Sequence, residues 1–146
     1  MNPELQGRAF APTAPYLVGR EKVREFSRAV LASNPINNDV DAARAAGYAD
    51  VVAPPTFAIV IQQLTLDQLV AQPDSGFAMT DLVHGEQRFS YTRPIVAGDE
   101  LTATLAVTSI KSLGGNAMVT AETTISDLAG ETVVTATSVL VVRAEA

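Results

Sequence analysis

Apolar residues recur at helical spacing in the first half of the chain and at every second position in the second half. Between Arg20 and Leu31 they fall at Val23, Phe26, Ala29 and Val30. Lys22, Arg24, Glu25 and Arg28 lie between them, so a helix with one solvated face is expected. Pro35 is expected to stop that helix, because it cannot continue one and pushes Asn34 toward extended backbone. A short helix over about Asp41 to Ala46 follows, with Gly47 suited to its C-terminal cap.

The segment Thr56 to Val70 is apolar around most of its circumference, through Phe57, Ile59, Val60, Ile61, Leu64, Leu66, Leu69 and Val70. A helix of that kind is buried inside a fold. Gln62, Gln63, Asp67 and Gln68 leave only a narrow polar stripe, and Pro54-Pro55 suits the helix start. The stretch Ala71 to Thr80 reads as a loop.

The period then changes to two. Val83 to Thr92 carries β-formers, and Pro94, Gly98 and Asp99 mark a turn. Leu101, Ala103, Leu105 and Val107 alternate with polar or small residues, and Val119, Ala121, Thr123 and Ile125 do the same. Gly114-Gly115-Asn116 joins these two strands as a hairpin. Thr132 to Val142 is apolar on both faces, which places it centrally or at an interface. Helices first, one of them buried, then an antiparallel meander: the fold class is α+β, a curved sheet around one central helix. No linker or internal repeat divides residues 1–146, so a single domain is expected.

Composition narrows the function. With 47% hydrophobic and 18% charged residues the chain is globular. A net charge of -6 without a Lys/Arg block argues against nucleic acid or an anionic membrane as partner. The absence of cysteine excludes disulfides and thiolate chemistry, and the single histidine, His84, excludes a multi-His metal cluster. No metal or cofactor is expected. The first residues carry Glu4 and Arg8 without an apolar run, and no window reaches a membrane span, so the expected location is the cytoplasm.

Candidate chemistry gathers at Ser33-Asn34-Pro35-Ile36-Asn37-Asn38-Asp39 and at Ala53-Pro54-Pro55-Thr56-Phe57. These read as a catalytic loop and an oxyanion turn stripped of their reactive groups. Asn37 stands where a base would be useful, and an amide does not titrate near neutral pH. Pro55 stands where a backbone N–H would be useful, and it has none.

The element order, with Asn34-Pro35-Ile36, Gly47, Pro94 and Gly98-Asp99, resembles the MaoC-type hot-dog dehydratases and (R)-specific enoyl-CoA hydratases. Arg20 to Phe26, Ala53 to Phe57 and Arg93 to Asp99 narrow the resemblance to the FAS1-like, N-terminal-type dehydratase domains. Among these are the non-catalytic subunits of the mycobacterial (3R)-hydroxyacyl-acyl-carrier-protein dehydratase heterodimers. The resemblance implies the hot-dog fold and hydration or dehydration of an acyl thioester carried by CoA or acyl carrier protein. Catalytic members carry Asp-x-Asn-Pro-x-His. On this chain the Asp position falls on Ala32 and the His position on Asn37. The family's oxyanion glycine falls on Pro55, with the Thr56 and Phe57 N–H groups as substitutes.

The resemblance thus implies a subunit that lacks its own dyad. Asn34, Pro35, Asn37, Pro55, Thr56 and Phe57 would shape the substrate site. The partner would be a catalytic MaoC-like subunit in a heterodimer, or a second copy in a homodimer that binds acyl thioesters without turnover. A hot-dog thioesterase ranks last, since no carboxylate lies between Val51 and the helix residue Leu66.

The remaining polar residues have plainer readings. His84 reads as a surface or strand-end histidine, with Glu86 and Asp81 as the near carboxylates. Asp39 and Asp41 read as helix caps, Asn37-Asn38 as a turn that bonds its own backbone, and Gly98-Asp99 as a tight turn. An acyl thioester would run past Ser90, Tyr91 and Thr92.

Overall fold

The structure, a computed structural model, describes residues 2–76 and 79–143. Residues 77 and 78 of the expected loop lie outside them. Helices α1 (Arg20–Ala29), α2 (Val40–Ala45) and α3 (Ala58–Val70) alternate with loops. Strand β1 (Tyr16–Leu17) precedes them, and β2 (Leu82–Tyr91), β3 (Glu100–Leu113), β4 (Asn116–Asp127) and β5 (Thr132–Val142) follow. The sheet is antiparallel in the order β1-β3-β4-β5-β2. The expected curved sheet around a central helix is what forms.

The alternation in β3 and β4 directs Leu101, Ala103, Leu105, Val107, Val119, Ala121 and Ile125 inward, where all are fully buried against α3. Gly114 and Gly115 close the β3–β4 hairpin with φ of 58° and 83°, a two-residue turn that favours glycine at both positions. β5 lies between β4 and β2, which agrees with its two apolar faces.

Three expectations need correction. First, α1 ends at Ala29, six residues before Pro35. Leu31 takes φ 57°, Ala32 N–H donates to Ser27 O at 2.8 Å, and Leu31 N–H donates to Arg28 O at 3.2 Å. This is a Schellman end, with leucine at the left-handed position that glycine prefers. Val30 and Leu31 therefore point outward, and Leu31 is 88% exposed.

Second, the central helix starts at Ala58, not Thr56, because Pro55 to Phe57 form a tighter turn closed by Phe57 N–H to Pro54 O at 2.9 Å. Third, Gln62 belongs to no solvated stripe. It is fully buried in a closed ring of hydrogen bonds. Gln62 Nε2 donates to Ser138 Oγ (2.9 Å), Ser138 Oγ to Gln87 Oε1 (2.5 Å), and Gln87 Nε2 to Gln62 Oε1 (2.8 Å). Beside it Thr65 Oγ1 meets Thr123 Oγ1 at 3.0 Å. These polar groups lie between two apolar clusters, one around Phe57 and Ile61 and one around Leu66 and Leu69.

Candidate functional site

The loop after α1 is held on both sides. Asn34 caps the 3₁₀ turn Pro35–Asn37, its side chain accepting from Ile36 N–H at 3.2 Å. Asn38 Nδ2 donates to Ala32 O at 3.2 Å, and Arg24 Nε donates to Asn38 O at 2.8 Å. Arg24, expected on the solvated face of α1, is thus half-buried and clamps the loop. Asp39 caps α2, accepting from Asp41 N–H (2.8 Å) and Ala42 N–H (3.2 Å). Gly47, at φ 95°, ends that helix as expected.

Asn37 is only 8% exposed, and its Nδ2 donates to Val52 O at 2.7 Å. Its amide therefore pins the loop to the segment Val51–Ala53. Val52 N–H returns a bond to Ile36 O at 2.9 Å, and Ala53 N–H reaches Ile95 O at 2.8 Å. The expected turn forms, with Asn37 N–H on Asn34 O and Asn38 N–H on Pro35 O at 3.0 Å each, while the Asn37 side chain reaches out of it.

These contacts enclose a cleft of about 470 Å³. Asn34, Ile36, Asn37, Tyr48, Val52, Ala53 and Pro55 line it, together with Tyr91, Thr92, Arg93, Pro94 and Ile95 from the end of β2 and the turn after it. Among the residues expected to bind substrate, Asn34, Asn37 and Pro55 come together here. Pro35 and Thr56 are exposed outside the lining, and Phe57 is fully buried in the core, edge-on to Phe26 with ring centroids 5.3 Å apart. Ala32 does not line the cleft. Its N–H and C=O are spent on Ser27 and Asn38.

The cleft walls carry neither carboxylate nor imidazole. His84 lies exposed on β2, and Glu86 pairs with Arg88 at 2.9 Å. The ionisable lining groups are Tyr48, Tyr91 and Arg93. Arg93 forks onto Asp99 at 2.8 and 3.2 Å, and Asp99 also accepts from Val96 N–H at 2.9 Å. That fork fixes the Pro94–Asp99 turn.

Tyr91 donates its O–H to Pro55 O at 2.5 Å. Burial pushes its phenol up to about 12. Tyr48 and Arg93 were missed in the sequence. Of Ser90, Tyr91 and Thr92, expected beside the site, Tyr91 and Thr92 line the cleft and Ser90 does not.

Among the described residues, no group of three His, Cys, Asp or Glu side chains gathers as a metal ion would require. No helix there is long and apolar enough to cross a membrane.

A curled antiparallel sheet around a buried helix, with a cleft at the helix head, is the hot-dog fold of MaoC-like dehydratases. Residues 4–136 match the FAS1-like dehydratase domain region, and the chain belongs to that family. A UPF0336 protein of Clavibacter michiganensis is 63% identical over 99% of this chain and 97% of its own length. One from Streptomyces avermitilis is 52% identical over 94% and 92%.

Among solved structures, a chain of the C-terminally truncated HadBC (3R-hydroxyacyl-ACP dehydratase) complex of Mycobacterium tuberculosis superposes with a TM-score of 0.88. It is 29% identical, over 97% of this chain and 99% of that one. A MaoC-like dehydratase superposes at 0.85 with 37% identity, over 95% of this chain and 42% of that longer one. The (R)-hydratase of A. caviae, at 22% identity and a TM-score of 0.69, shares the fold.

Proposed function

We propose that this chain is the dyad-lacking subunit of a (3R)-3-hydroxyacyl-thioester dehydratase, or of the reverse (R)-specific hydratase. It holds the acyl thioester, borne by CoA or acyl carrier protein, while a MaoC-like partner supplies the acid and base. One observation carries this reading: the cleft at Asn37 and Pro55 is built and braced, yet no lining side chain can shuttle a proton near neutral pH. Similarity to a chain of the HadBC complex supports a heteromeric assembly.

Crotonyl-CoA hydration tests it. The purified chain alone is expected to have negligible activity. Adding a partner that carries Asp-x-Asn-Pro-x-His is expected to raise the rate by ~10²-fold or more, the scale of a positioned acid/base. Strong activity of the isolated chain, retained in Asn37→Ala, overturns the proposal.

A homodimer that binds acyl thioesters without turnover is the second reading, and the β2 edge favours it. β2 pairs with β5 on one side only. Antiparallel pairing with a second copy centred on Gln87 sets Glu86 opposite Arg88, a self-complementary match. A monomeric chain in sedimentation experiments removes that reading.

A further inference from the structure

The most deeply buried polar side chain of the cleft holds an acceptor with nothing to accept from. Asn37 is only 8% exposed and lines the cleft. Its Nδ2 donates to Val52 O at 2.7 Å. Turning the amide over would set its oxygen against that carbonyl, so the direction of the group is fixed. Among the described residues no hydrogen bond reaches Oδ1, and that oxygen is not sealed in by protein. A buried acceptor without a partner costs free energy that a ligand donor recovers.

Two neighbouring oxygens have also spent their protons. The Tyr91 hydroxyl donates to Pro55 O and the Thr92 hydroxyl to Thr132 O, each at 2.5 Å. Both are left with lone pairs. The lining side chains that keep a hydrogen to donate, Asn34, Tyr48 and Arg93, are exposed or half-exposed. An enoyl thioester brings only acceptors to such a site, its carbonyl oxygen and its sulfur. A 3-hydroxyacyl thioester brings one O–H. A carrier-arm amide brings an N–H as well, but its own carbonyl then needs a donor that the buried part of the cleft lacks.

We propose that Asn37 Oδ1 accepts the 3-hydroxyl of the bound thioester, so that Asn37 distinguishes the hydrated ligand from the dehydrated one. It is a specificity-determining residue, and the subunit holds the substrate of dehydration in preference to its product. This deepens the thioester-binding reading and rests on it.

The test compares (3R)-3-hydroxybutyryl-CoA with butyryl-CoA, which has the same carrier and carbon count and no hydroxyl, by calorimetric titration of the purified chain. The wild-type protein is expected to bind the hydroxyacyl ligand about fivefold tighter, the scale of one hydrogen bond. Asn37→Ala is expected to bind the two within about twofold and to leave the affinity for butyryl-CoA unchanged. Equal binding by the wild-type protein overturns the proposal, and so does a hydroxyl preference that survives Asn37→Ala. A loss of affinity for both ligands in a folded Asn37→Ala also overturns it, because Oδ1 then takes the carrier-arm amide.

Binding of neither ligand by the folded wild-type protein, checked by thermal melting, is a different result. It removes the thioester reading itself and the proposal with it. If Asn37→Ala does not fold, the ¹³C resonance of the Asn37 side-chain carbonyl in the wild-type protein decides. A downfield shift with hydroxybutyryl-CoA beyond that with butyryl-CoA supports the contact, and the same position with both ligands overturns it.

Discussion

Two amides are buried along the path of α3, and they are used in opposite ways. Asn37, near the helix head, spends its NH₂ on a backbone carbonyl and leaves its oxygen out of that bond. Gln62, midway along the helix, sits in a ring where each of three side chains donates once and accepts once. The first fixes the shape of a loop. The second ties α3 to two strands through groups that depend on one another, the condition under which buried polar networks are most costly to break.

That contrast sets the expected order of effects. Gln62→Ala is expected to be the most damaging, at about 3 kcal/mol, because it opens a cavity and strands partners on β2 and β5. Urea denaturation measures it. A double-mutant cycle with Ser138→Ala should return a coupling of about 1 kcal/mol, and strict additivity would break the claim of a ring.

Asn37→Ala is expected to cost about 1.5 kcal/mol, the loss of one bond to a carbonyl left buried. A cost equal to that of Gln62→Ala would erase the distinction. Leu31→Gly alters only the backbone that leads into the loop. It relieves a left-handed leucine of about 1–2 kcal/mol and gives back part of that as unfolded-chain entropy. A net gain of about 0.5 kcal/mol is expected in the same assay.

The remaining effect is a pH dependence that shows only in alkaline solution. Tyr91's phenol is raised in the folded state from 10.0 to about 12. The neutral phenol is the form that folding favours, so its contribution is complete below pH 10 and is lost as pH rises through 12. Tyr91→Phe should flatten that part of the stability curve. Tyr16, also raised by burial, supplies residual slope.

Local patterns made much of the fold readable. The period-two strands, the apolar helix and the Gly114-Gly115 hairpin each depend on residues close in sequence. The burial of Gln62 did not show, because its partners lie 25 and 76 residues away and hydropathy cannot tell a polar residue facing water from one facing another amide. The end of α1 was misplaced for a related reason: a Schellman turn was closed by leucine where glycine is the usual sign. At the site, the positions of Asn37 and Pro55 came from motif spacing. Tyr48 and Arg93 entered only through the folding of β2 and its turn against the loop, which no local pattern encodes.

The strand order has a consequence for synthesis. Among the described residues, β2, which ends in Tyr91 and leads into Arg93, is held to the sheet only by β5, from Leu82 opposite Val142 to Tyr91 opposite Val134. A nascent chain that has already exposed the loop and the central helix therefore cannot finish the cleft until residues past 134 have left the ribosome. Until then the apolar face of α3 is incompletely covered, and chaperones have their best opportunity to engage this chain during that interval.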